Sequence, residues 1–131
     1  MRIPILVATV FFCFYVSAAD AGSDGYVCTV ESFNRLTNEG TLVGNAKDPI
    51  IGQEFTVDRK SGKIIGKYIG SAGFNTEVLD SGSGNQSFKV LARNPWGFLH
   101  VLYLEIQEFH KEPRKPFLLV DASIVYTGTC Q

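Results

Sequence analysis

Residues 98–109, with the sequence FLHVLYLEIQEF, decide the fold class of this 131-residue chain. Leu102, Leu104 and Ile106 alternate with other residues, and a period of two is typical of a β-strand that buries one face. The segment is also the longest run of this kind in the sequence. It therefore predicts that these three side chains face a core, while Tyr103 between them faces outward.

Shorter runs of the same character lie on both sides of this segment. Turn-forming glycine, proline, asparagine and serine residues separate many of them, as is usual between antiparallel strands. The runs are residues 26–33, 53–58, 63–69, 77–80, 87–93 and 117–127, with a further short strand near 41–43. The sequence thus predicts an all-β fold of about six to eight strands, either a small antiparallel β-barrel or a two-sheet β-sandwich.

Two of these runs carry finer expectations. Residues 117–127 (FLLVDASIVYT) predict one continuous strand, with Leu118, Val120 and Ala122 on the inward face. Gly66 stands inside the run at 63–69, where a glycine indicates a bulge or a close neighbour.

The first 21 residues have the pattern of a secretory signal peptide. Arg2 is followed by an apolar run over residues 5–16 and then by small residues, so that cleavage can follow Ala19 or Ala21. Cleavage would leave residues 22–131 as a single antiparallel β domain with no membrane span. The expected location is extracytoplasmic, either periplasmic or secreted.

Cleavage would also change the cysteine count from odd to even. Cys13 would leave with the leader, and Cys28 and Cys130 would remain in an oxidising compartment. A disulfide between them is predicted, in preference to two free thiols or a metal pair. In a barrel this bond would join the first and last strands.

Composition excludes several classes of function. A net charge of −1 argues against a dedicated nucleic-acid binder, and 45% hydrophobic residues exclude a disordered chain. The sequence has no nucleophile elbow, no H-x-x-x-H and no C-x-x-C motif, so no catalytic residue, metal or cofactor is predicted. One enzymatic alternative remains, a small secreted hydrolase that uses His100 with Asp121 or Ser123.

Two loop segments are candidates for contact with a partner. The only tryptophan, Trp96, stands in the turn sequence Asn-Pro-Trp-Gly-Phe, and aromatic side chains in loops often anchor ligands. Lys111, Arg114 and Lys115 are held in a loop that contains two prolines and could meet an acidic partner or an anionic glycan. These four residues are the predicted binding residues.

The overall plan resembles that of the small exported lysozyme inhibitors of bacteria, which are compact antiparallel barrels with a disulfide. Those proteins carry an inhibitory loop of the type Ser-Gly-x-x-Tyr. The nearest stretch here runs from Ser83 to Phe88 (SGNQSF), with phenylalanine in place of tyrosine and one additional residue. The same stretch contains a glycosylation sequon at Asn85.

The sequence therefore favours an exported, non-catalytic domain that binds a macromolecule or a small ligand through its loops or barrel mouth, with inhibitor-like action included. The hydrolase is one alternative. An accessory subunit of the cell envelope, assembled through an unpaired strand edge, is another.

Overall fold

The structure, a computed structural model, describes residues 24–131. The predicted signal peptide and Cys13 lie outside these residues. The described chain forms nine β-strands: β1 (Gly25–Leu36), β2 (Leu42–Gly44), β3 (Glu54–Asp58), β4 (Ile64–Gly66), β5 (Asn75–Ser83), β6 (Gln86–Arg93), β7 (Val101–Ile106), β8 (Lys115–Asp121) and β9 (Ile124–Cys130).

All nine strands belong to one antiparallel sheet that curls into a half-barrel. The order across the sheet is β4-β3-β1-β9-β8-β7-β6-β5, and β2 pairs with the far end of β1. The prediction of an all-β, barrel-like fold is confirmed. The first and last strands are neighbours within the sheet, because β1 pairs with β9 along most of its length.

The inner face of the sheet carries the hydrophobic core. Leu102, Leu104 and Ile106 are buried as the alternation in β7 predicts, and so are Phe55 and Val57 in β3. Val90 and Ala92 of β6 and Leu119 of β8 fill the same core. Since each strand alternates, its other side chains remain on the outer face, where any binding surface on the sheet must lie.

Residues 117–127 differ from the prediction, because they form two strands rather than one. A two-residue turn at Ala122 and Ser123 separates β8 from β9. Phe117 and Leu119 point into the core, so Leu118 and Val120 lie on the outer face, opposite to the predicted register. The turn contains no glycine, proline or asparagine, and Ala122 takes a left-handed φ of 51°.

The predicted disulfide is present. Cys28 of β1 and Cys130 of β9 are directly opposite each other, and both are buried. Near this bond the two strands approach so closely that a Cβ atom at Gly128 would lie 2.0 Å from the carbonyl oxygen of Thr29. Gly66 also has the close neighbour that was predicted, because a Cβ atom there would lie 2.8 Å from the Cβ of Phe55.

The outer edges of the sheet, β4 and β5, share no strand pairing in the described chain. The loop between β3 and β4 covers the edge of β5 instead. Thr76 donates its hydroxyl to the carbonyl of Ser61 at 2.8 Å, and Arg59 donates to the carbonyl of Ser81 at 3.1 Å. Side-chain contacts to backbone therefore occupy part of the edge that an added strand would need.

Candidate functional site

The predicted binding residues lie at opposite ends of the sheet. Trp96 belongs to the loop between β6 and β7, whereas Lys111 and Arg114 belong to the loop between β7 and β8. Consecutive connections of an antiparallel sheet fall at opposite ends, and the six residues of β7 separate these two by about 20 Å. The structure therefore does not unite the four predicted residues in one site.

The loop formed by residues 94–100, named here the aromatic loop, is held by a single side chain. The amide of Asn94 donates to the carbonyls of Trp96 at 2.6 Å and Phe98 at 2.9 Å, and its oxygen accepts from the backbone N–H of His100 at 2.7 Å. The backbone N–H of Asn94 also donates to the His100 carbonyl at 3.0 Å. These bonds close the loop and explain why β7 begins at Val101 rather than at Phe98.

Three large side chains of the aromatic loop project into solvent. Trp96 is 78% exposed, Phe98 82% and Leu99 75%, the highest values of any large hydrophobic residue in the described chain. Exposed apolar side chains that occur singly are normal, but adjacent ones indicate an interaction surface. The carbonyls of Trp96 and Phe98 and the N–H of His100 are hydrogen-bonded to the Asn94 side chain. The exposed side chains are therefore attached to an ordered backbone.

An apolar groove of about 600 Å³ runs between the aromatic loop and the outer face of the sheet. Its lining comes from the loop, from β7, from β8 and from the turn after β8. The lining residues are Phe98, Leu99, His100, Val101, Tyr103, Val120 and Ala122. Concave sites of this size with mainly apolar walls and a few polar groups are the usual form of ligand pockets.

One polar pair stands at the wall of the apolar groove. Nε2 of His100 lies 2.5 Å from Oδ1 of Asp121, and both side chains are about one-third exposed. The ring of Phe74 packs edge-on against the imidazole, with centroids 5.1 Å apart. The pair joins the base of the aromatic loop to the end of β8 and thereby fixes the wall of the groove.

The contact between His100 and Asp121 matches part of the hydrolase alternative. Ser123, its candidate nucleophile, is exposed in the turn after β8, and its carbonyl oxygen accepts from the N–H of Leu36 at 2.9 Å. Within residues 24–131 no serine or threonine hydroxyl is hydrogen-bonded to the His100 ring. The pair thus has the base and the orienting carboxylate of a triad, with no hydroxyl joined to it.

The loop between β7 and β8, which carries the predicted basic residues, is partly fixed by contacts with its own backbone. Lys115 is half-buried at the start of β8, and its ammonium donates to the carbonyl of His110. Two of the three predicted cations, Lys111 and Arg114, are exposed to solvent.

A second groove, of about 540 Å³, lies on the outer face of β7, β8, β9 and β1 and is named here the acidic groove. Glu31 and Glu105 provide its charge. Oε1 of Glu105 accepts from the Ser87 hydroxyl at 2.8 Å, and Oε2 accepts from the Tyr103 hydroxyl at 3.0 Å. The bond from Ser87 is the main cause that lowers the pKa of Glu105, so this carboxylate is ionised at neutral pH.

The segment from Ser83 to Phe88, which resembles an inhibitory loop, lies outside both grooves and ends in the core. Phe88, at its end, is completely buried in β6 and packs against Tyr26, with ring centroids 5.1 Å apart. A core side chain cannot enter a partner's cleft, so the fold removes the aromatic element of the inhibitory pattern. Asn85 is exposed in the turn between β5 and β6.

Residues 24–131 bring no three His, Cys, Asp or Glu side chains together in the manner of a metal site. Over the same range, the fold has no helix of the length and apolar character needed to cross a membrane.

The sequence predicts Trp96 as a binding residue but not the residues that shape the groove beside it. Phe98 and Leu99 continue the apolar run of β7, so the sequence predicts that they belong to a strand. The available signal was Asn94-Pro95 followed by Gly97, since asparagine before proline favours a turn and the glycine extends it. Val120 was missed because its predicted register placed it in the core.

Comparison with known proteins gives no match. No protein-family model fits the chain, and no curated protein or solved structure is significantly similar to it.

Proposed function

We propose that this protein is an exported, non-catalytic binding domain whose contact surface is the aromatic loop together with the apolar groove. The observation that carries the proposal is the exposure of Trp96, Phe98 and Leu99 on a loop whose backbone is held by Asn94. An ordered loop has already lost conformational entropy before it meets a partner, so less is lost on binding.

The groove adds a second line of support. Aromatic anchors beside a concave apolar surface are the arrangement found at the energetic centre of protein interfaces. The polar contact between His100 and Asp121 lies at one wall of the groove, and polar groups in such positions fix the orientation of a bound ligand. The aromatic loop and the apolar groove lie at one end of the sheet. The hairpin formed by β1 and β2 adds exposed Leu42 and Val43 at the same end.

The experiment is affinity capture from the extracytoplasmic fraction of the source cells with the exported protein as bait. The test variant is Phe98→Ala together with Leu99→Ala. Phe109→Ala is the matched control, because Phe109 is also an exposed aromatic but lies in the loop at the opposite end. We expect the captured ligand to be lost with the test variant and retained with the control.

Trp96 gives an independent measurement, since it is the only tryptophan of the chain. Its fluorescence should shift to shorter wavelength when the captured ligand is added back, because binding removes water from the indole. If ligand is retained by the double variant and the emission of Trp96 does not change, the proposal is refuted.

The hydrolase is a second candidate, favoured by the contact between His100 and Asp121. It predicts turnover of simple ester substrates that disappears in His100→Ala. Equal rates for the wild type and this variant would eliminate it. The strand-edge alternative receives less support, because the contacts from Thr76 and Arg59 occupy part of the edge of β5.

A further inference from the structure

The apolar and acidic grooves adjoin on the outer face of the sheet. Tyr103 lines the first and Glu105 the second, and they are two residues apart on β7. Val120 and Leu118 have the same relation on β8. Residues two apart on a strand share a face at a spacing of about 7 Å, so the two grooves are neighbours on this face, and together they are named here the trough.

The trough differs in character from one end to the other. Phe98 and Leu99 stand at its apolar end, and Glu31 and Glu105 at its acidic end. Its lining residues include no lysine or arginine. Lys89 lies opposite Glu105 on β6, outside both grooves, and offsets part of the negative charge.

Both carboxylates retain the capacity to accept further hydrogen bonds. Each oxygen of Glu105 receives one bond from the protein, and Oε1 of Glu31 receives one from the Thr129 hydroxyl at 3.1 Å. An ionised carboxylate offers about four acceptor positions. Glu31 also sits at a β-bulge between Val30 and Ser32, and bulges often redirect a side chain toward a binding surface.

We propose that the trough binds an extended polypeptide segment that carries a large apolar side chain and, about four residues away, a lysine or arginine. The inference rests on the proposed binding function and names the class of partner. The spacing follows from β7, where Val101 in the apolar part and Glu105 in the acidic part are about 13 Å apart, the length of four extended residues. A neutral apolar molecule would leave both carboxylates unused, and an anionic membrane surface would be repelled by them.

The test is selection of binders from a display library of short random peptides on the immobilised wild-type protein. We expect the selected sequences to combine an aromatic or large aliphatic residue with lysine or arginine at the proposed spacing. Selected peptides without an excess of basic residues, or a library that yields no binder above background, would overturn the inference.

The affinities of selected peptides then test the acidic groove directly. The double variant Glu31→Gln, Glu105→Gln keeps one acceptor oxygen at each site and removes the charge. We expect it to bind about fivefold more weakly than the wild type at low salt, and we expect the difference to shrink as salt is added. Glu39→Gln is the control, because it removes one negative charge from an exposed turn outside both grooves. Equal losses in the control and the double variant would contradict the inference.

Failure of the inference can be told apart from failure of the proposed function. If peptides bind regardless of charge but are lost with Phe98→Ala, the apolar site is supported and only the basic partner is wrong. If Phe98→Ala selects the same peptides with the same affinities, the site itself is wrong. If Trp96 emission shifts with phosphatidylglycerol vesicles but not with selected peptides, a lipid surface replaces the polypeptide.

Discussion

The loops at the two ends of β7 differ in whether their side chains are exposed to solvent or bonded to other parts of the fold. At one end, Asn94 satisfies the backbone and leaves three large apolar side chains in solvent. At the other end, Glu108 receives a hydrogen bond from Tyr26 and pairs with Arg59 at 2.9 Å, while the guanidinium stacks over the Tyr26 ring at 5.4 Å.

The Glu108 end therefore stabilises the fold, whereas the aromatic loop forms the proposed binding surface. The contacts at the Glu108 end join β1, the loop after β3 and the loop after β7, so their loss should weaken the fold. The exposed side chains of the aromatic loop contribute little to the core, so their loss should affect binding first. The predictions below test this division, beginning with the largest expected effect.

Removal of the disulfide should have the largest effect on stability. Cys28 and Cys130 are 102 residues apart and join the strands near the Glu108 end. A closed loop of about 100 residues restricts the unfolded chain enough to contribute about 4 kcal/mol to the free energy of unfolding. Denaturant unfolding of the wild type with and without reductant measures the loss. A change below about 1 kcal/mol would contradict the prediction.

Asn94→Ala should destabilise the protein by about 2 kcal/mol, because it removes three hydrogen bonds from the aromatic loop. The loop should also become mobile, which would appear as lower fluorescence anisotropy of Trp96. Asn38→Ala, in the exposed turn after β1, is the control and should cost less than about 0.5 kcal/mol. Unchanged anisotropy would show that Asn94 does not order the loop.

Alkaline pH should weaken the contacts at the Glu108 end. Burial, and then the hydrogen bond to Glu108, raise the pKa of the Tyr26 hydroxyl well above its ordinary value. Because the folded pKa exceeds the unfolded one, the stabilisation is complete below about pH 10 and declines as the pH rises from there toward the folded pKa.

The variant Tyr26→Phe isolates this effect. It should be less stable than the wild type by about 1 kcal/mol at neutral pH, because the bond to Glu108 is lost. Its free energy of unfolding should fall less steeply than that of the wild type above pH 10. The residual slope is expected from Tyr103 and Tyr126, whose pKa values burial also raises. Parallel curves would exclude Tyr26 as a source of the alkaline loss.

Ala122→Gly should have the smallest effect, a gain of about 0.5–1 kcal/mol. The φ of 51° at Ala122 is strained for any residue with a side chain, and glycine relieves that strain. Ala46→Gly is the control, since Ala46 has no positive φ and should gain nothing. Thermal unfolding distinguishes the two. A loss of stability in Ala122→Gly would mean that packing of this methyl group against the groove outweighs the strain.

Much of the fold was predictable where a strand has one buried and one exposed face. Leu102, Leu104 and Ile106 follow the alternation because β7 lies in the middle of the sheet and packs on the core with its inner face alone. The prediction failed at residues 117–127 because Ser123 is the only turn-forming residue between the two strands, and no glycine, proline or asparagine accompanies it. The turn forms where Asp121 and Ile124 pair across it, and the inward packing of Phe117 against Phe55 sets the register.

The candidate site was less predictable than the fold. Trp96 was identified from its turn residues, but Tyr103 and Val120 enter the groove only because β7 and β8 are neighbours. The basic residues Lys111, Arg114 and Lys115 lie at the opposite end, since consecutive loops of an antiparallel sheet alternate between its ends. Whether they bind a partner remains a prediction.

The all-β class, the inward residues of β7 and the pairing of Cys28 with Cys130 could be predicted, because alternation and cysteine count are properties of local pattern and composition. Which residues share an outer surface depends on the arrangement of the strands. Only the strand order brings the aromatic loop, β7 and β8 together around one groove and places Glu31 and Glu105 beside it. Such proximity depends on contacts between residues far apart in the chain, which no local periodicity specifies.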